Sequence, residues 1–249
     1  MRVNIRVTEN DLPWIVGRYA RELVTWLPKF GIEAAINDGS YTDLEYLANT
    51  YFKPSRRPAI GLFAHNRFEL APHFDGHIAL NPVYAQTLRD NGAKNPVVIE
   101  QAVDDIFLHE GGPVFGVAGS VKGDGRKGED LIAKMVEHGY DIRAWGIGWP
   151  CPIYSNQYSH LPAFYRALNY YVVTSRVEGG CTPIIETMAM GIPVIAPKIG
   201  YAIRRPVLEY EAGDWDSLHA LLRFLTEHRT YEDFARDHAE YFKQVLNGL

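Results

Sequence analysis

Residues 175–196 read S-R-V-E-G-G-C-T-P-I-I-E-T-M-A-M-G-I-P-V-I-A. The apolar run Tyr170 to Thr174 leads in as a strand. Gly179-Gly180 then turns the chain, Thr182 to Met190 forms a helix stopped by Gly191, and Val194 to Ala196 is a second, buried strand. Glycines at the turn let backbone approach a ligand with no Cβ in the way. Pro183 suits a first helical turn. The helix start near Cys181, Thr182 and Pro183 presents N–H groups and the positive end of the dipole, which makes it an anion site. Glu178 stands before the turn and Glu186 after the first helical turn. A carboxylate accepts two hydrogen bonds from a vicinal diol, so both suit a hydroxyl-rich ligand.

The same strand-then-helix alternation runs outward in both directions. Toward the N-terminus, strands are predicted at 2–7, 32–37, 58–64, 76–80 and 96–100. Helices are predicted at 12–30 (with Asp11 as N-cap and Gly31 as stop), 41–52 and 82–91. Residues 101–112, ending in Gly111-Gly112-Pro113, read as a linker. The pattern restarts with strands at 114–118 and 141–147, helices at 127–138 and 161–168, and closing helices at 215–227 and 231–246 capped by Asp214 and Thr230. Alternation of this kind implies parallel sheets with helices on both faces. The expected domains are 1–108, a Rossmann-like acceptor-side domain, and 109–230, a Rossmann-like donor-side domain. A closing helix within 231–249 is expected to pack back on the first.

Composition narrows the function classes. The chain has 249 residues, 47% hydrophobic and 22% charged, with net charge −5. That length supports a substantial core without cross-links. Two cysteines, Cys151 and Cys181, exclude a disulfide scaffold. Neither half is basic, which argues against a dedicated nucleic-acid face. No apolar run approaches a membrane span, and the N-terminus lacks a signal-peptide core. The expectation is a cytoplasmic protein, with peripheral membrane contact left open. No C-x-x-C, H-E-x-x-H or G-x-S-x-G spacing occurs, so no metal site is expected.

The 175–196 stretch resembles the signature of the retaining glycosyltransferase family 4: a Glu, seven residues, a second Glu, then G-x-P-V-I-A. Glu178, Glu186, Ala189, Gly191, Pro193, Val194, Ile195 and Ala196 match. Other segments agree in order. Gly116 to Ser120 followed by Arg126-Lys127-Gly128 resembles the family's "G-R-L … K-G", in which an arginine and a lysine hold the donor diphosphate. Lys127 matches the lysine, but Ser120 stands where the arginine is expected, leaving Arg126 or Lys122 to supply the charge. Trp145 to Pro150, with Gly148, resembles the loop bordering the nucleotide base. Leu161 to Ala167 resembles the short helix before the Glu178 strand, with Tyr165 read as core and Arg166 as surface. Val16 to Leu23 resembles a "G-G-I-x-R-Y" helix start, with Gly17 as the one glycine kept. His65, after the 58–64 strand, stands where the family often has a histidine near the donor sugar, with His73 and His77 as rivals. Val97 to Asp104 resembles "V-I-x-N-G-V-D". The first domain is shorter than the family's usual one.

The resemblance implies an α/β fold of two Rossmann-like domains facing across a cleft (GT-B). It also implies a metal-independent, hexosyltransferase-like enzyme that moves a sugar with retention from a nucleotide-diphosphate sugar, its substrate, to an acceptor. No cofactor is implied. Glu178, His65 and Lys127 would be catalytic. Glu186, Lys127, Arg126, Ser120, Gly17, Gly179, Gly180, Cys181, Thr182 and Gly148 would bind the donor. A nucleotide-sugar epimerase of the same fold and a non-catalytic nucleotide-sugar binding module are the alternatives.

Overall fold

The computed structural model describes residues 1–40, 42–103 and 111–248. The chain divides into two compact α/β units, one built from Met1–Phe107 and His228–Leu249, the other from Leu108–Glu227. The expected domain boundary at 108/109 and Asp104 lie outside the described residues.

The first unit opens with β1 (Arg2–Arg6), α1 (Ile15–Trp26), β2 (Glu33–Ile36), β3 (Leu44–Leu47) and β4 (Ala59–Phe63). It continues with β5 (Gly76–Ala79), α2 (Pro82–Asp90) and β6 (Val97–Val98). The six strands form one parallel sheet in the order β2-β1-β3-β4-β5-β6. Asn81 caps α2 by accepting from the Tyr84 N–H at 2.8 Å, and Pro82 fills the first turn.

Two expectations fail here. Asp11 does not cap α1. The helix starts after Trp14, and the Asp11 carboxylate instead accepts from the Thr8 hydroxyl at 2.7 Å. The helix predicted over 41–52 is strand β3. Leu44-Glu45-Tyr46-Leu47 consists mostly of helix formers, but it lies between β1 and β4 with all four residues buried. Tertiary burial overrides propensity at such a site. Glu45 misleads most, because it is 0% exposed. Its carboxylate accepts from Arg6 Nη1 at 3.1 Å, from Ser55 N at 2.7 Å and from Ser55 Oγ at 2.7 Å. Burial pushes its pKa up, but these bonds outweigh that and hold it below the usual value.

The second unit runs β7 (Phe115–Ser120), α3 (Glu129–Glu137), β8 (Ile142–Ile147), β9 (Ile153–Ser155), α4 (Leu161–Arg166) and β10 (Tyr170–Val172). Then come α5 (Thr182–Ala189), β11 (Val194–Ala196), β12 (Leu208–Glu209) and α6 (Trp215–Thr226). Its parallel sheet has the order β12-β11-β10-β7-β8-β9. The edge strands β9 and β12, three and two residues long, have no counterpart in the sequence expectation. Asp214 caps α6 through Ser217 N. The last helix, α7 (Tyr231–Asn247), starts with a capping box of Thr230 and Asp233 and belongs to the first unit. Phe234, Ala235, Ala239 and Phe242 pack into that unit's core with Tyr19, Leu23 and Tyr46. Each unit is thus α/β with one parallel sheet.

Candidate active site

The second unit brings Lys127, Arg126, Ser175 and Glu178 together. Helix α3 starts later than expected, at Glu129, so Lys127 belongs to the loop before it. Gly128 makes this entry possible. Its φ is +65°, and a Cβ there would lie 2.1 Å from the Thr174 carbonyl oxygen. The loop is pinned to the end of the β10 strand. Thr174 Oγ1 donates to Lys127 O at 2.6 Å, and Arg176 N donates to Arg126 O at 3.0 Å. The Arg176 guanidinium also forks onto Asp130 at 2.8 and 2.9 Å and donates to Gly125 O at 2.7 Å.

So held, Lys127 Nζ donates to Glu178 Oε1. Ser175 Oγ donates to the same oxygen at 2.8 Å, and Arg126 Nη1 stands 3.7 Å from it. Side-chain exposure is 10% for Glu178 and 17% for Lys127, so the pair is largely shielded from water. Burial raises the Glu178 pKa, but bonds from Lys127 and Ser175 and the charges of Lys127 and Arg126 outweigh it, leaving the group below its ordinary value and ionised. Among the described residues every donor to Glu178 falls on Oε1, which leaves Oε2 to accept from a ligand.

The turn beyond Glu178 is tight for a physical reason. Gly179 and Gly180 are exposed, and a Cβ on Gly180 would meet the Tyr201 ring at 2.9 Å. Thr182 is exposed at the start of α5. Cys181, in the N-cap position, is only 7% exposed, so it can offer backbone but not thiol. Burial, and next the Glu178 charge, raise its thiol pKa.

Glu186, on α5, accepts from the buried Tyr165 hydroxyl at 2.8 Å on Oε2. Among the described residues Oε1 has no donor and is left for a ligand hydroxyl. Tyr165, read from sequence as core, is core and also the group that aims Glu186. Its pKa is driven up by burial and by that bond.

Ser120 is exposed at the end of β7, paired with Ile147 on β8. Gly148 has φ +81°, and a Cβ there would lie 2.7 Å from Val121 O, so its absence lets the two loops approach. Trp149 Nε1 donates to Gly119 O at 2.9 Å and braces the same corner. Of the two cations considered for the missing arginine, Arg126 reaches Glu178, whereas Lys122 is exposed and makes no bond to it.

His65 and Gly17 lie in the first unit. His65 follows the carboxyl end of β4, where its ring stacks on Tyr51 at 4.8 Å and Nε2 meets the Tyr51 hydroxyl at 2.9 Å. His77 is buried in β5 near the sheet's opposite edge, and His73 sits in the turn before it. Gly17 has a structural reason to be glycine, since a Cβ would lie 2.2 Å from Leu12 O. The Leu12 backbone occupies that place, and the Gly17 N–H donates to Asp11 O at 3.2 Å. Sequence reasoning missed Ser175, Tyr165 and Tyr51. Ser175, three residues before Glu178, was the one with a local signal.

Among the described residues no group of three His, Cys, Asp or Glu side chains is placed to hold a metal ion, and no helix is long and apolar enough to cross a membrane.

Residues 151–241 match the family model for glycosyl transferases group 1. One curated relative, the "uncharacterized glycosyltransferase 335" of Sulfolobus islandicus rod-shaped virus 1, is 28% identical over 88 residues. That match spans 35% of this chain and 23% of the relative's length. Similar solved structures include the lipopolysaccharide outer core galactosyltransferase WaaB in its apo form, with 12% identity and TM-score 0.41. The match covers 100% of this chain and 99% of WaaB. HepE of Anabaena in complex with UDP and glucose has 13% identity and TM-score 0.39, over 100% of this chain and 98% of HepE. Sucrose-phosphate synthase from Thermosynechococcus elongatus has 14% identity and TM-score 0.40, over 100% of this chain and 97% of the synthase.

Proposed function

We propose that this chain is a GT-B glycosyltransferase that moves a sugar, with retention, from a nucleoside diphosphate sugar to an acceptor. One observation carries the proposal. Lys127, Arg126 and Ser175 converge on one oxygen of Glu178 beside an exposed glycine turn at a helix start, and Tyr165 holds one oxygen of Glu186 on that same helix. Such a site offers cations and N–H groups for a diphosphate and two free carboxylate oxygens for hydroxyls. The family match over 151–241, which includes both glutamates, supports the same reading.

In this reading Glu186 accepts from the ribose hydroxyls. Glu178 Oε2 accepts from the donor sugar while Lys127 and Arg126 neutralise the diphosphate as it leaves. Charge stabilised on a leaving group lowers the barrier directly. No metal is required, because the cations and helix N–H groups supply the positive charge. The diphosphate oxygen itself takes the acceptor's proton, so no separate base is needed. The sugar would be a hexose, and the enzyme would work in the cytoplasm. Arg126 would replace the arginine absent at Ser120, and His65 with Tyr51 would serve the first unit's side of the reaction.

The test is a product assay with UDP-, GDP- and ADP-sugars together with a nucleotide-release assay. Release coupled to a new glycoside supports the transferase. Release without any acceptor product supports an epimerase, and binding without release supports a binding module.

A further inference from the structure

Strand β1 lies inside the first unit's sheet, between β2 and β3, yet only one of its faces is apolar. Val3 and Ile5 enter the core, and the alternation of a strand sends Asn4 and Arg6 to the other face. Inner strands of a parallel sheet are usually apolar on both sides, because helices cover both. Among the described residues the connections from β2 to β3 and from β3 to β4 carry no helix. A cavity of about 310 Å³ lies over β1 on this face. It is lined by Asn4 and Arg6 from the strand and by Gly39, Ser55 and Arg56 from the two connections. This volume is at the lower end of the range for small-molecule sites, about 300–1,000 Å³.

The lining is rich in donors with capacity to spare. The Arg6 side chain is 31% exposed. Its Nη1 donates to Glu45 Oε1 at 3.1 Å, and among the described residues its Nε and Nη2 have no acceptor. Arg56 is exposed, and its Nη1 comes only within 3.4 Å of Ser40 O and 3.5 Å of Thr42 Oγ1, long for hydrogen bonds. Asn4 Oδ1 accepts from Asp38 N at 3.0 Å, which leaves the Nδ2 group to donate. Among the described residues no carboxylate lines the cavity. The acids nearby in sequence are committed elsewhere: Asp38 accepts from Ser40 N at 2.9 Å and Ser40 Oγ at 2.8 Å, and Asp43 accepts from Arg2 N at 2.8 Å. An adjoining hollow of about 220 Å³ shares Ser55 and Arg56 and adds Lys53 and His73.

Accessible cationic donors without matching acceptors select for an anion. A carboxylate offers two oxygens in one plane, which a single guanidinium fork satisfies. Two guanidiniums and an amide on separate elements suit a phosphate, whose oxygens spread in three directions. We propose that this cavity binds a phosphate group, carried by a soluble small molecule or by a lipid headgroup, and that Arg6, Arg56 and Asn4 hold it. The proposal rests on this unit alone and is independent of the chemistry proposed for Glu178.

The experiment has two arms on the full chain. In the first, the arginine ¹H–¹⁵Nε resonances are followed during titration with glucose 6-phosphate, with glucose as the uncharged control. In the second, sedimentation is measured with phosphatidylcholine vesicles carrying phosphatidic acid, against phosphatidylcholine alone. Arg56→Ala removes an exposed side chain and keeps the backbone N–H that reaches Glu45 Oε2 at 3.3 Å. Saturable binding is expected in at least one arm, weakened about tenfold or more by Arg56→Ala and unchanged by Lys127→Ala. Binding in the first arm assigns the phosphate to a soluble molecule, and binding in the second alone assigns it to a lipid. No binding in either arm would overturn the proposal. So would equal binding of the uncharged controls, or a loss that follows Lys127→Ala and not Arg56→Ala. UDP titration of the wild-type chain and Lys127→Ala reads the second unit's site separately, so failure of either proposal is recognised on its own.

Discussion

Glu178→Gln separates the charge on Glu178 from its shape. In the ligand-free chain Lys127 is tied to Glu178, so an arriving diphosphate must draw the ammonium away from a carboxylate that is 10% exposed. Two unit charges about 4 Å apart attract by roughly 4 kcal/mol at an effective dielectric near 20, before desolvation is subtracted. The net worth of a partly shielded pair is lower, near 1–2 kcal/mol, between the exposed and buried limits. Glutamine keeps an acceptor oxygen for Ser175 and Lys127 but releases the ammonium from the charge. Free UDP should therefore bind as well as before or up to about tenfold more tightly, about 1.4 kcal/mol. Turnover should fall about 10- to 1000-fold, because the variant loses the charged oxygen that holds the sugar as its bond breaks. The assays are calorimetric titration with UDP and product formation from the sugar nucleotide, on protein whose melting temperature is checked. If UDP affinity and turnover drop together, Lys127 is not in competition between Glu178 and phosphate, and this account of the site is refuted.

Tyr165→Phe removes the hydroxyl that aims Glu186. It should cost about 0.5–1.5 kcal/mol of donor binding, read as a raised KM with kcat little changed in steady-state kinetics. Gly128→Ala forces a Cβ within 2.1 Å of Thr174 O at φ +65°, so a drop of at least about 1–3 kcal/mol in urea-unfolding stability and a loss of UDP binding are expected. His238 is fully buried and its pKa is lowered to about 4, chiefly by burial. The unfolded chain therefore takes up this proton at a higher pH than the native one. The stabilisation is complete above about pH 6.5 and fades as pH falls toward 4, by roughly 3 kcal/mol in all. Urea melts across that window should show the loss, and His238→Phe should flatten it. UDP binding should survive a chelator, since cations and N–H groups form the phosphate site, and calorimetry with and without EDTA reads this directly.

The chain's own pattern of residues determines most of the architecture. Helical stretches that stop at Gly31, Gly139 and Gly191 are bounded in the sequence because a left-handed turn is open to glycine, and all three have positive φ. Pro183, Asp214 and Thr230 mark helix starts by local chemistry alone. Glu178, Glu186 and Lys127 are legible because their spacing about a glycine turn is a local matter too. Tertiary structure decides whatever depends on partners distant in the chain. Leu44–Leu47 is a strand only because β1 and β4 enclose it, and Glu45 is tolerated there because Arg6 and Ser55 satisfy its charge. Lys127 meets Glu178, 51 residues away, because Thr174 and Arg176 pin its loop to the end of β10. Tyr165 changes from a core residue to the group that aims Glu186 because folding brings its hydroxyl to a carboxylate 21 residues further along the chain. Gly17 looks like a ligand-facing glycine in sequence, but the Leu12 backbone fills the space beside it. A missing Cβ reads the same in one dimension whether a ligand or the chain itself takes its place.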